Sequence, residues 1–244
     1  MERILYLNCF SGISGDMFLG AMIDLLGDDG ALDAALKGLR LENYEIAVSR
    51  ERRRGITGVR VSVKFDSESH HGRNLDDIVK IIEGSSLSDF VKSKAQEAFT
   101  RLAEVEGKIH GVPLESIHFH EVGGIDSIVD IVGAFSLLER LEVDHIVSSP
   151  VNVGSGFVNC AHGLLPVPAP ATAELLKDMP VFSLGEPMER TTPTGALLLK
   201  MLASAFGPLP LGVLKKVGYG AGERESSLPN VLQAILLEGE APLQ

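Results

Sequence analysis

Apolar residues run almost unbroken through "RILYLNCF", which predicts a buried strand from Arg3 to about Phe10. "SGISGD" interrupts that run. Helical spacing follows in "MFLGAMIDLLG", with Met17, Ala21 and Leu25 on one line and Phe18, Met22 and Leu26 beside it. A short helix is expected over about Ala31 to Leu39. "YEIAVSRERRRGITGVRVSVKF" alternates on both sides of Gly55 and predicts a β-hairpin with a long polar turn. Leu75 to Lys108 is helical with a break at "GSSLS", where Ser88 can cap the second helix. "SIHFH" reads as a short strand, Asp126 to Leu141 as a helix, and "DHIVSSPVNVG" as strand into loop. A Pro-rich lead, "LPVPAPATAELLKDM", enters a helix, and "TTPTGALLLKMLASAF" is a turn followed by another. "GVLKKVGYGAGE" and "NVLQAILLEGE" read as two late strands. Strands alternate with helices, so the expected fold is α/β, a mixed sheet with the N-terminal strand central. The hairpin keeps α+β as the alternative.

Composition narrows the function classes. The 244 residues are 45% hydrophobic and 23% charged, enough for one large domain or two small ones, with a subdivision near residues 65–75 in the polar loop "DSESHHGRN". A formal net charge of -11 argues against a nucleic-acid partner, although a few backbone N–H groups can still hold a small anion. No apolar run has the length of a membrane span, and the N-terminus lacks the pattern of a secretory signal. Cys9 and Cys160 are too few for a disulfide framework, so the chain is read as cytoplasmic with reduced thiols. An assembly of identical copies is compatible with these features.

Three stretches carry candidate chemistry. In "NCFSGISGDM" a strand passes through a Ser/Gly turn into a helix, where outward N–H groups favour an anion. Ser11 and Ser14 would add hydroxyls, and Gly12 and Gly15 would let a ligand approach the backbone. The Lys of a phosphate loop is missing, and Asp16 would repel a phosphate unless a cation lay between them. The alternative is a tight turn with Ser14 as N-cap. In "HFHEVGGIDSIVDIVG", strand geometry would put His118 and His120 on one face with Glu121 next to them, a set suited to a borderline divalent ion such as nickel or zinc. Asp126 and Asp130 share a helix face that is only partly apolar; the alternative is an N-cap and a surface residue. In "NCAHGLLPVPAPAT", Cys160 and His162 stand two apart. Cys160 reads first as a small buried hydrophobe, whereas His162 sits in a loop held by prolines. Thr192 and Thr194 in "TTPTG" offer either an anion nest or a cap. His70 and His71 lie in a polar loop.

Taken in order, "YLNCFSGISGDMFLGAMID", "IHFHEVGGIDSIVDIVGA", "SPVNVGSGFVNCAHGLLPVPAPATAELL", "TPTGALLL" and "GYGAGERE…LPNVLQ" resemble the nickel-pincer cofactor nickel-insertion proteins of the lactate racemase maturation system. The resemblance spans nearly the whole chain. It implies a lyase-class, CTP-dependent cyclometallation that places nickel in the sulfur–carbon–sulfur pincer of pyridinium-3,5-bisthiocarboxylic acid mononucleotide, with Mg²⁺ or Mn²⁺ accompanying CTP. Such a reaction needs a seat for the nucleotide, for which Ser11, Gly12, Ser14, Gly15, Thr192 and Thr194 are candidates. It needs metal donors, for which His118, His120, Glu121, Asp126, Asp130 and His162 are candidates. It also needs a group to accept the ring proton as the nickel–carbon bond forms, for which His120, Glu121 and Asp16 are candidates. Members of that family are longer, with a C-terminal portion that resembles the CTP-handling part. This chain is therefore expected to correspond to the N-terminal half and to need the C-terminal half as partner. Many members also carry a histidine-rich tract where this chain has only "SHHG", so weak nickel storage is expected.

Overall fold

A computed structural model describes residues 1–39, 41, 44–65, 73–117, 119, 124–160 and 162–240. The elements run β1 (Glu2–Asn8), α1 (Gly15–Leu26), α2 (Ala31–Leu36), β2 (Tyr44–Arg53), β3 (Ile56–Phe65), α3 (Leu75–Glu83), α4 (Asp89–His110) and α5 (Ile125–Leu141). There follow β4 (His145–Ser148), β5 (Val151–Asn152), β6 (Gly154–Ser155), β7 (Phe157–Cys160), β8 (Gly163–Pro166), α6 (Pro170–Leu175), β9 (Val181–Phe182), β10 (Met188–Glu189), α7 (Pro193–Leu202), β11 (Ala205–Phe206), β12 (Gly212–Ala221) and β13 (Val231–Gly239).

The expected mixed sheet is present, in the order β11-β4-β1-β13-β12-β3-β2. β1 is interior, parallel to β4 and antiparallel to β13, one place from the middle. Its unbroken apolar run has a physical cause. Leu5 and Leu7 enter the main core beneath the helices, while Ile4 and Tyr6 join a small second cluster with Val147, Ile235 and Leu237. A strand buried on both faces has no polar face to show. α1 and α5 pack together in the main core, with Phe18, Met22, Ile128 and Phe135 fully buried. α1 lies close on the sheet because β12 is small there: a Cβ at Gly220 would fall 1.7 Å from the carbonyl oxygen of Met17.

Two expectations need correction. The β2–β3 hairpin has a tight turn, because its strands pair as far as Arg53 with Ile56 and leave only Arg54 and Gly55 between them. Both turn residues have positive φ (45° and 94°), the backbone that matches the twist of a two-residue hairpin. Arg50, Arg52 and Arg53 therefore belong to the strand, and only Arg54 to the turn. Second, Leu114–Ser116 form a 3-10 turn, and neither Ile117 nor Phe119 lies in a strand. Two capping expectations agree with the structure. Ser88 Oγ accepts from the Val91 N–H at 3.2 Å, and Thr192 Oγ1 accepts from the Gly195 N–H at 3.2 Å. Among the described residues no helix is long and apolar enough to cross a membrane.

Candidate functional site

At the C-terminal end of β1 the chain turns through Cys9–Ser14 into α1, and a second loop, Arg190–Gly195, locks onto that turn. The Thr192 N–H donates to the Ile13 carbonyl at 3.1 Å, and Ile13 pairs with Thr191 as an isolated parallel bridge. Gly12 has φ +86°, and a Cβ there would lie 2.0 Å from the Arg190 carbonyl oxygen. Ser11 is fully buried, and its Oγ accepts from the Arg190 guanidinium at 3.0 Å. The sequence put Ser11 and Gly12 forward as ligand contacts; here both face Arg190.

Arg190 is the organising cation of this loop pair. Its side chain has no exposure, and it also bonds Glu186 at 3.1 Å and Ser226 Oγ at 3.4 Å. Its Nε is buried without a hydrogen-bond partner. Burial lowers the guanidinium pKa, which the Glu186 charge opposes. Hydrogen bonds from Ser227 in turn hold the Glu186 carboxyl down at about 2, so the anion beside Arg190 stays ionised.

The start of α1 gathers carboxylates. Ser14 is at the N-cap position but makes no side-chain cap bond; its hydroxyl donates to Asp16, which also pairs with Arg60 of β3. A Cβ at Gly15 would sit 2.1 Å from Asp130 Oδ2, so the carboxylate of α5 presses on the first turn of α1 and only glycine leaves room for it. Burial raises the Asp130 pKa well above the ordinary value, the Asp16 and Asp126 charges raise it further, and Arg60 opposes them. Burial likewise raises Asp16, against the lowering by Ser14 and Arg60. The alternative of Asp130 as a simple surface residue is corrected: it is half-buried and interacts electrostatically with two other aspartates. Asp126 is exposed in the first turn of α5, where Gly124 rather than Asp126 takes the N-cap position.

Among the described residues no group of three His, Cys, Asp or Glu is arranged to hold a metal ion. Asp16, Asp126 and Asp130 thus converge in charge without forming a cage. His118, His120 and Glu121 lie outside the described residues, as do His70 and His71.

Two cavities open at this end. The smaller, about 140 Å³, is lined by Ser14, Asp16, Arg190, Thr192, Glu223, Arg224 and Asn230 among others. The larger, about 460 Å³, has an apolar wall of Ile109, Val158, Leu165 and Ala169, and carries Cys160, His162, His110 and Glu106. Glu189 and Arg224 line both, so the two adjoin. Cys160 is therefore not a core hydrophobe: it is half-buried on the cavity wall, whereas Cys9 is the buried thiol, pushed up to about 12 by desolvation. Thr194 is buried in α7 and lines neither cavity. Arg60, Arg190, Arg224 and His110 escaped the sequence reading. "ERTTPTG" held the one available hint, a charge directly before a helix-starting turn, while His110 in "KIHG" reads only as a helix end.

The family profile described as nickel insertion protein matches residues 5–244. The pyridinium-3,5-bisthiocarboxylic acid mononucleotide nickel insertion protein of Desulfitobacterium hafniense is 48% identical over 96% of this chain and 58% of its own length. Proteins of the same name from Clostridium kluyveri and Geobacillus kaustophilus are 48% and 44% identical, over 98% and 97% of this chain and 63% and 60% of theirs. The chain thus spans about 60% of the length of these curated relatives. No solved structure matches it. The profile, covering all but the first four residues, carries the assignment: the chain belongs to the nickel insertion protein family.

Proposed function

We propose that this chain is the part of a nickel-insertion enzyme that seats pyridinium-3,5-bisthiocarboxylic acid mononucleotide while nickel enters its pincer. The observation that carries this reading is the adjoining pair of cavities with unlike chemistry. A phosphate monoester suits the smaller one, which has the guanidinium of Arg224, the Thr192 hydroxyl and the α1 N-terminus, with the Asp16 charge paired to Arg60. A pyridinium ring with sulfur substituents suits the larger, which has an apolar wall and soft donors at Cys160 and His162. Arg224, common to both, sits where the two ends of one nucleotide would join.

Nickel is the cargo. Its donors on this reading come from His118, His120, Glu121 and His162, with Asp126 and Asp130 adding negative charge nearby. Formation of a nickel–carbon bond releases a ring proton. Asp16, on the wall of the smaller cavity, has a pKa raised by burial, as has Asp130; on this reading they would take up the proton after it has left the ring in the larger cavity. His120 and Glu121 are the other acceptors in this proposal.

On this reading CTP has no seat among the described residues. The smaller cavity, at about 140 Å³, has room for a phosphate monoester but is small for a whole nucleoside triphosphate. No step is therefore assigned to CTP, Mg²⁺ or Mn²⁺ in this chain, and CTP handling is proposed for a C-terminal portion acting as its partner. Cytoplasmic residence and the lyase class follow from the same reading.

The test is equilibrium dialysis of the purified chain against the precursor nucleotide, without nickel or CTP. Retention at micromolar concentrations is expected, and no retention at millimolar concentration would sink the reading. With CTP and Mg²⁺ or Mn²⁺, the chain alone should release no CMP. Robust release would move the CTP site to the Ser11–Asp16 turn.

A further inference from the structure

We infer that His110 and His162 form a landing position for a divalent nickel-like ion on the wall of the larger cavity, from which the ion passes to the sulfurs of the seated nucleotide. The transfer rests on the nucleotide reading above; the metal position itself does not. The two imidazoles come from elements distant in sequence. His110 closes the last turn of α4, a 22-residue helix ended by Gly111 in the left-handed conformation. His162 stands in the turn between β7 and β8. Their ring centroids are 4.8 Å apart with the planes tilted by 47°. With metal–nitrogen bonds of about 2.1 Å at an angle of roughly 90–110°, two imidazoles on one ion have centroids roughly 4.6–5.3 Å apart.

A carboxylate stands behind the first ring. Glu106, one helical turn earlier, places Oε2 3.3 Å from His110 Nε2. A carboxylate at that distance can orient the ring, as it does in carboxylate–histidine–metal sites. Both rings are on the cavity surface, so an arriving ion sheds only part of its water shell.

The incompleteness of the set is chemically apt. Two imidazoles hold a borderline ion loosely and leave positions for water and for two incoming sulfurs. In the transfer, nickel–nitrogen bonds break as nickel–sulfur bonds form. The metal stays Ni²⁺, no electron moves, and the two imidazoles are left unligated, as they began.

The test uses Ni²⁺ alone. In a chain with His70, His71, His118 and His120 all changed to alanine, one equivalent of Ni²⁺ should still bind. Its affinity should fall at least tenfold in His110→Ala or His162→Ala, and about tenfold in Glu106→Gln. Combining the two histidine changes should cost little more than either one, because a broken two-point site cannot be broken twice. In the unaltered chain, substoichiometric Ni²⁺ should broaden the imidazole NMR signals of His110 and His162 before those of His145. Nickel affinity indifferent to both changes, or signals of both rings left sharp, would overturn the proposal. Dialysis of the precursor against His110→Ala keeps the two readings apart: retained nucleotide with at least tenfold weaker nickel binding supports the landing position, and unchanged nickel affinity overturns it whatever the nucleotide does.

Discussion

The loop pair at the α1 N-terminus and the β7–β8 hairpin border the same pair of cavities, yet they are built on opposite plans. The loop pair is interlocked and internally satisfied: Gly12 and Gly15 admit close contacts, Ser11 and Glu186 hold a fully buried Arg190, and Asp16 is paired with Arg60. The hairpin is open, with Phe157 and Leu164 exposed and with Cys160 and His162 facing the larger cavity. The contrast teaches that rigidity is concentrated where a small hard anion would be positioned, and exposed soft donors where a sulfur-rich ring and its metal would meet.

The largest expected effect is on the rigid side. Arg190→Met takes the charged donor from the buried hydroxyls of Ser11 and Ser226 and should cost about 3 kcal/mol in urea unfolding, as expected when buried polar groups lose charge-assisted hydrogen bonds. Leu164→Ser on the hairpin should change stability by less than about 0.5 kcal/mol, because that side chain is exposed. Equal costs would erase the contrast. Gly15→Ala comes next, at about 1–3 kcal/mol, because the new methyl meets the Asp130 carboxylate. Adding Asp130→Ala should recover most of that loss, and a double-mutant cycle measures the coupling.

A smaller effect concerns pH. The Asp130 pKa is raised on folding, so the folded state holds its proton to higher pH than the unfolded state does. Stability from this group is therefore greatest at low pH and declines as pH rises from the unfolded pKa, about 4, through the folded one. Asp130→Asn should remove that decline and raise the unfolding midpoint at pH 7.5 while changing it little at pH 4. A midpoint lowered at pH 7.5 would mean that the ionised carboxylate is stabilising, contrary to its surroundings.

The sheet was legible in the sequence because each core strand declares itself over several residues. β1 is apolar on both faces, β12 and β13 follow their quoted segments, and α3 and α4 are separated where "GSSLS" ends one helix and Ser88 caps the next. The hairpin turn was misplaced because the charged run Arg50–Arg54 looks like loop when its β3 partners are unseen. The site was legible only in part. Asp16 and Asp130 could be picked out as carboxylates in unlikely places, but the reason they matter, the contact of Asp130 with Gly15, joins positions 115 residues apart. Arg190, Arg224 and His110 have ordinary local surroundings and acquire meaning only where loops from different parts of the chain converge.

The central claim is that one nucleotide spans both cavities, its phosphate in the smaller and its ring in the larger. Calorimetric titration of the chain with the precursor tests it most directly, comparing the unaltered chain with Arg224→Ala at the junction and Leu165→Asp on the apolar wall. Each change should weaken binding about tenfold, the worth of one lost charge-assisted hydrogen bond or one spoiled apolar contact. Binding of unaltered strength in both variants would place the nucleotide elsewhere and contradict the claim.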